Sequence, residues 1–337
     1  MVRTGQPVHT HLTGKASDMA SCEQGLREIT DNSSTCFFIR TEAPFDFERS
    51  ANIHSHFQKS LPDVYENGLH KRVLHVCGKP VLVIVSSKGT TARPRLRVEA
   101  HPHLSIAEAK SLRNLLRTMF ASSFDFHSFR KVAKRDRLMN TVSKEVAGLR
   151  PIAPPSIFEA LVIAITEQQI SLDAAIAIRS RLIEKYGEVV RFDGRRFYAF
   201  PTAMSLTTAK LKQMRAVGLS RSKALYISEL ARRVEDGELD LEGLRNRDDE
   251  TVVAELTKIR GVGPWTAEYV LIRGMGRANS LPADDLGIQH AVSQAYFKGK
   301  RISSKEVRRI LSKFAPYSGI AAFYLMYYLF WLPRRAK

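Results

Sequence analysis

Residues 251–290 read TVVAELTKIRGVGPWTAEYVLIRGMGRANSLPADDLGIQH, and the rest of the chain is understood from them. In TVVAELTKI the apolar residues Val252, Val253, Leu256 and Ile259 recur at a helical spacing. Gly261-Val262-Gly263 follows; two glycines around one apolar residue permit a turn too tight for residues that carry a Cβ. Pro264 suits the first turn of a new helix, where its missing N–H would have no partner anyway. That helix, TAEYVLIRGMG, is expected to fail at Gly274 and Gly276. The product is helix, tight hairpin, helix. The amides of the hairpin and of the second helix's start point one way, which makes a site for an anion.

The composition says which anion. At 337 residues the chain is long enough for two or three domains, and its hydrophobic fraction of 44% is ordinary for a globular protein. A net charge of +18 implies a polyanionic partner, nucleic acid before an anionic membrane, against the plainer reading of charge for solubility alone. No apolar run approaches the roughly 18 residues of a membrane span. The first 33 residues lack the apolar segment of a secretory signal. Cys22, Cys36 and Cys77 are few and scattered, which argues for a reducing compartment and against a disulfide framework or a zinc site. An intracellular location, with a nucleic acid as partner, is the expectation.

The stretch LTKIRGVGPWTAEYVLIRGMGRANSLPADDLGIQ, with the upstream EQQIS at 167–171, resembles the HhH-GPD superfamily of DNA base-excision glycosylases. The resemblance is to their helix–hairpin–helix and catalytic loop, and it is closest to the 3-methyladenine DNA glycosylase II (AlkA-type) branch. The family pattern ends on an essential Asp, the second of a P-x-D-D pair. That Asp falls on Asp285, 20 residues beyond Trp265. The resemblance is specific over residues 150–330. It implies an α+β, mainly α fold: a helical HhH-GPD core behind an N-terminal antiparallel β-module. Some relatives carry a four-cysteine iron–sulfur cluster near the C-terminus, which no cysteine beyond Cys77 could hold here.

Site residues follow from this resemblance, each beside a plainer reading. A carboxylate at Asp285 would stabilise the positive charge that grows on the sugar as a C1′–N bond breaks. The plainer reading is an N-cap of the helix LGIQHAVSQAY, and Asp284 is assigned to that capping or to loop structure. Relatives that also cut the backbone place a Lys two residues after the second hairpin glycine. That position is Trp265, and an indole cannot form a Schiff base. Trp265 and Tyr269, one turn on, would instead wall a pocket for an extruded, electron-poor base, unless they are core packing. Alignment through Pro316 adds Met326 and Tyr327 to that pocket. Gln168 and Gln169 would reach the minor groove, Gln169 filling the gap left by the flipped nucleotide, the alternative being a polar interhelical turn. Gly261, Val262 and Gly263, with Thr266 beside them, would hold a backbone phosphate. The carbonyls of Thr257, Ile259 and Val262 correspond to a monovalent-cation site of the family. Arg195, Arg196, Arg221 and Lys223 are further phosphate candidates, each alone more often a solvated charge.

Outward from the core, residues 1–33 read as a tail or a strand-capping extension, and residues 34–104 as an antiparallel module. In the module, VLHVC and VLVIVSS flank Gly78-Lys79-Pro80 as a hairpin, LRVEA alternates like an edge strand, and HSHFQKSLPDVYENG is a possible helix. From residue 105 the chain is read as helical throughout, the hairpin occupying 251–276 and the catalytic loop 277–290 of a region 105–337. Ser105 with Glu108, and Ser156 with Glu159, look like capping boxes. Ala216-Val217-Gly218-Leu219 is a degenerate echo of the main hairpin, either a second backbone-binding hairpin or simply a good turn. The expectation is a monofunctional, monomeric glycosylase that releases alkylated purines from double-stranded DNA and needs no cofactor. Behind it stand a glycosylase for oxidised or deaminated bases and a non-catalytic DNA clamp.

Overall fold

The computed structural model describes residues 27–28, 34–53, 61–120 and 125–332. Six antiparallel strands form the N-terminal sheet in the order β1-β2-β6-β5-β4-β3. They are β1 (Arg27–Glu28), β2 (Thr35–Arg40), β3 (Val64–Glu66), β4 (Leu69–Val76), β5 (Lys79–Ser87) and β6 (Arg95–His101). The helix Ile106–Phe120 lays Leu112, Leu116, Met119 and Phe120 on one face of the sheet, against Phe37, Val83, Leu96 and Val98. Residue 105 therefore marks a change of secondary structure, while the apolar core of the sheet runs on through Phe120. On the other face, Val73 and Leu82 pack with Phe197 and Ala199 from the helical region. Cover on both faces explains why VLVIV is a continuous apolar run rather than an alternating one.

Several expectations are corrected here. Arg27–Glu28 pairs with Cys36 and Thr35, so part of the 1–33 segment extends the sheet; the remainder lies outside the described residues. LRVEA lies between β2 and β5 and is not an edge. Its alternation reports one buried face, with Leu96, Val98 and Ala100 each fully buried, and carries no information on strand order. In HSHFQKSLPDVYENG, residues 54–60 fall outside the described residues, and Val64–Glu66 is a strand. The missed signal was Asn67-Gly68, which turns β3 into β4 with both residues at positive φ. The β4–β5 turn is Cys77-Gly78, with Lys79 and Pro80 already in the strand. Nor is the chain all helix after residue 105: Asp193-Gly194 joins β7 (Val189–Phe192) to β8 (Arg195–Tyr198) in a second small sheet. Cys77 is free and exposed.

The helices pack around two apolar centres. One gathers Ile157–Ile165, Leu182, Leu206, Leu230, Val252, Leu256 and Val270. The other gathers Phe129, Val142, Leu149, Val292, Val307, Ile320, Tyr324 and Tyr327. The helix Pro264–Tyr269 starts in the first and continues as a π-helical turn, Val270–Gly274, whose Ile272 belongs to the second. Among the described residues no helix is long and apolar enough to cross a membrane.

Candidate active site

A cleft of about 1890 Å³ runs between the two helical centres, with the β-module at one end. On one side stands the hairpin. The helix Asp249–Thr257 ends, Val262 N–H donates to the Ile259 carbonyl at 3.0 Å, and Gly261 turns the chain at φ +85°. Glycine is needed there twice over: a Cβ would also meet the Tyr226 ring at 2.2 Å. Gly263 differs. It caps the helix Pro264–Tyr269 at φ −96°, and no atom lies within 4 Å of where its Cβ would be. Its backbone is open to close approach.

Opposite the hairpin is the loop before the helix Leu286–Tyr296. Leu281, Pro282 and Ala283 are buried and anchor it, while Asp284 is exposed. Asp285 is the N-cap: Oδ1 accepts from the Gly287 N–H at 2.8 Å and the Ile288 N–H at 3.0 Å. The capping role assigned to Asp284 therefore belongs to Asp285, whose backbone sits at the helix start. Capping and a place in the cleft are compatible, because the second oxygen faces elsewhere. Oδ2 accepts from Trp265 Nε1 at 3.2 Å. Three donors and a helix N-terminus fix the carboxylate in place.

Trp265 lies beside Tyr269, ring centroids 5.5 Å apart and tilted by 42°. Across the cleft stand Phe323, Met326, Phe330 and Trp331. Met326 Sδ is 3.5 Å from where a Cβ on Gly287 would lie, close to the start of the Asp285 helix. Tyr327 does not line the cleft. It is fully buried in the second apolar centre, edge-on to Trp331 at 5.9 Å. A π-helical turn, Tyr327–Trp331, follows the helix Ser318–Met326 and changes which residues face outward.

The EQQIS junction divides its work. Gln168 Nε2 donates to the Gly261 carbonyl and to Thr266 Oγ1, both at 2.9 Å. Thr266 is 1% exposed. Gln168 and Thr266, expected at DNA, here use their side chains to fasten the junction to the hairpin. Gln169 stands exposed at φ +55° with Ile170 beside it, 39% exposed. Lys223 Nζ donates to the Thr166 carbonyl at 2.8 Å and the Gln168 carbonyl at 2.6 Å, so it caps a helix and is not a spare phosphate ligand. Arg195 is paired with Glu66, whereas Arg196 and Arg221 are exposed.

Two charged groups in the cleft were not foreseen. Glu167 Oε1 accepts from Arg179 Nη1 at 2.9 Å, and the Tyr269 hydroxyl lies beside the same carboxylate. Where the module meets the helices, Arg72 Nη1 contacts both Asp63 oxygens at 3.0 Å, and its Nη2 contacts Glu159. His70 Nε2 lies 2.9 Å from Asp63. Burial pushes the Asp63 carboxyl up, but Arg72 and His70 overcome it and hold the group well below the usual carboxylate range. Burial pushes Glu159 up. Glu159 is spent on Arg72, so Ser156 caps its helix through one hydrogen bond to Glu159 N–H; Ser105 and Glu108 do form the reciprocal box. A charge set among apolar neighbours was the available signal: Arg179 on the face of Ala175, Ile176, Leu182 and Ile183, Glu159 inside IFEALVIAI.

A helix–hairpin–helix facing a capped aspartate across an aromatic cleft defines a class, and comparisons with known proteins agree. The model for the HhH-GPD superfamily base excision DNA repair protein matches residues 162–316. The DNA-3-methyladenine glycosylase of Bacillus subtilis is 30% identical over 60% of this chain and 66% of its own length. A second B. subtilis relative, a putative DNA-3-methyladenine glycosylase, is also 30% identical, over 56% of this chain and 64% of its own. The chain thus spans slightly less than two thirds of these curated relatives. Among solved structures, the 3-methyladenine DNA-glycosylase from Archaeoglobus fulgidus superposes with a TM-score of 0.76 at 28% identity, covering 87% of this chain and 99% of that one. Over its helical region the chain is similar to the HhH-GPD superfamily, and its relatives there are glycosylases of the AlkA type.

Proposed function

We propose that the protein is a monofunctional DNA glycosylase that excises alkylated purines from duplex DNA. The observation that carries this reading is the Asp285 carboxylate, fixed by three donors at the edge of an aromatic cleft and facing the hairpin. Gly263, with open space over its backbone, and the first-turn amides of the helix Pro264–Tyr269 suit a backbone phosphate. Gln169 and Ile170, exposed at the rim, suit insertion at the site of the extruded nucleotide. The base would enter the cleft against Trp265 and Tyr269. A methylated purine carries positive charge, which the π-faces attract and which makes it a good leaving group. Asp285 would stabilise the oxocarbenium-like sugar and orient water at C1′. No amine stands at the Trp265 position. The lysine that lines the cleft among the described residues, Lys223, has its Nζ held by two carbonyls. An intact abasic site is therefore the expected product. At the hairpin, the carbonyls of Thr257, Ile259 and Val262 would suit a monovalent cation; that of Ile259 already accepts one N–H and keeps one lone pair.

The test is base release from labelled duplexes carrying 7-methylguanine, 1,N6-ethenoadenine, hypoxanthine, uracil or 8-oxoguanine, with and without alkali. Release of alkylated bases with breaks only after alkali is the expected result. Strand cleavage without alkali would contradict the monofunctional reading. Tight binding with no release from any duplex would leave only a clamp.

A further inference from the structure

The aromatic wall of the cleft ends on a carboxylate that hydrolysis does not use. Glu167 closes the helix Ile157–Glu167 and lines the cleft. Arg179, with its side chain 8% exposed, grips one of its oxygens. The Tyr269 hydroxyl lies beside it, and burial, with that carboxylate near, pushes the phenol up, so Tyr269 stays a donor. Tyr269 lies against Trp265, and Trp265 reaches Asp285. One line of contacts therefore runs Asp285, Trp265, Tyr269, Glu167, Arg179. A base whose sugar is at Asp285 and whose ring lies along Trp265 and Tyr269 turns an edge toward Glu167.

A carboxylate has about four lone-pair sites; Arg179 takes one, and even with the neighbouring Tyr269 hydroxyl on a second about two stay open. It is acceptor-only, so what it can receive is an N–H. Building on the glycosylase reading above, we propose that Glu167 reads N–H donors on the Watson–Crick edge of the extruded purine and so sets the damaged-base range. 7-Methylguanine and hypoxanthine present an N1–H there. 1,N6-Ethenoadenine has that edge closed into a ring and presents none. A site built to hydrogen-bond discriminates strongly, because a partner lacking the donor leaves a desolvated acceptor unpaired.

The test is single-turnover release of these three bases by the full chain and by Glu167→Gln, which keeps the shape and removes the charge. Expected is a fall of about tenfold or more for 7-methylguanine and hypoxanthine, with 1,N6-ethenoadenine unchanged or improved. An equal fall on all three assigns Glu167 a structural role and overturns the proposal, as does no fall on any. A fall confined to cationic 7-methylguanine, or no hypoxanthine release by the wild type, reduces Glu167 to an attractor of positive charge and also overturns it. Thermal melting checks the fold; if the Gln variant melts early, the same ratios are read in Glu167→Asp, which keeps the charge and withdraws the oxygens by one methylene. A wild type that releases no base at all refutes the glycosylase reading, a result distinct from any change in ratio between variants.

Discussion

The molecule holds two hairpins of similar sequence, Ala216-Val217-Gly218 and Gly261-Val262-Gly263, and only one of them faces the cleft. Both turn on a glycine at positive φ, +110° at Gly218 and +85° at Gly261. At the first, the turn is sealed from behind. Arg181 Nε donates to the Val217 carbonyl at 2.7 Å, and a Cβ on Gly218 would strike Ile178 Cγ1 at 2.9 Å. At the second, Gln168 holds the Gly261 carbonyl while Gly263 is left uncovered. The difference teaches that a small-Val-Gly turn is a way to reverse a helix. On the proposed reading, it becomes a binding site only where the fold leaves its backbone bare and sets a carboxylate opposite.

Four substitutions would break or sharpen this contrast. Asp285→Asn, opposite the open hairpin, should lower base release by roughly 10²–10³-fold while DNA affinity in a gel-shift titration holds; unchanged turnover would remove Asp285 from the chemistry. Gly261→Ala adds a Cβ inside the Tyr226 ring at an unfavourable φ. Denaturant melts should show a loss of about 3 kcal/mol or more. Gly218→Ala meets Ile178 and the movable end of Arg181, so about 1–3 kcal/mol is expected, with DNA affinity intact once folded. A clear loss of affinity there would make the sealed hairpin a second DNA contact. Gly263→Ala points its methyl into open space at an ordinary φ. Stability should stay within about 0.5 kcal/mol while DNA affinity drops about tenfold, because the methyl occupies the phosphate's approach.

What was legible in the sequence was local or tied to a spacing. Gly261, Pro264 and the 20-residue interval to Asp285 carried the hairpin, the helix start and the catalytic candidate. Strand order was not legible, since alternation in LRVEA reports burial of a face and is the same at an edge or in the middle. The Asn67-Gly68 and Asp193-Gly194 turns were readable from their dipeptides and passed over. Tyr327 was misplaced for a different reason: it was placed by alignment through Pro316, and adjacent residues on one helix, here Met326 and Tyr327, turn to different sides, one to the cleft and one to the core. The side chains of Gln168 and Thr266 meet each other and the hairpin backbone, because a polar side chain at a junction can face a partner or its own backbone. The Glu167–Arg179 pair joins adjacent helices, and sequence marked it only as charge on apolar faces.

The Arg72 junction has a consequence for taking the protein apart. Arg72 and Asp63 come from the β-module and Glu159 from the helical region, and the side chains of Arg72 and Glu159 are 5% and 4% exposed. Severing the chain near residue 105 to obtain the helical region alone would strand Glu159 without its counter-ion. It would also bare the face of Phe197 and Ala199 that the sheet covers. A secondary-structure diagram invites a cut there, yet the two halves share one ionic knot and are not interchangeable parts. Chimaeras that transplant the β-module or the helices from a relative would have to carry both ends of that knot together.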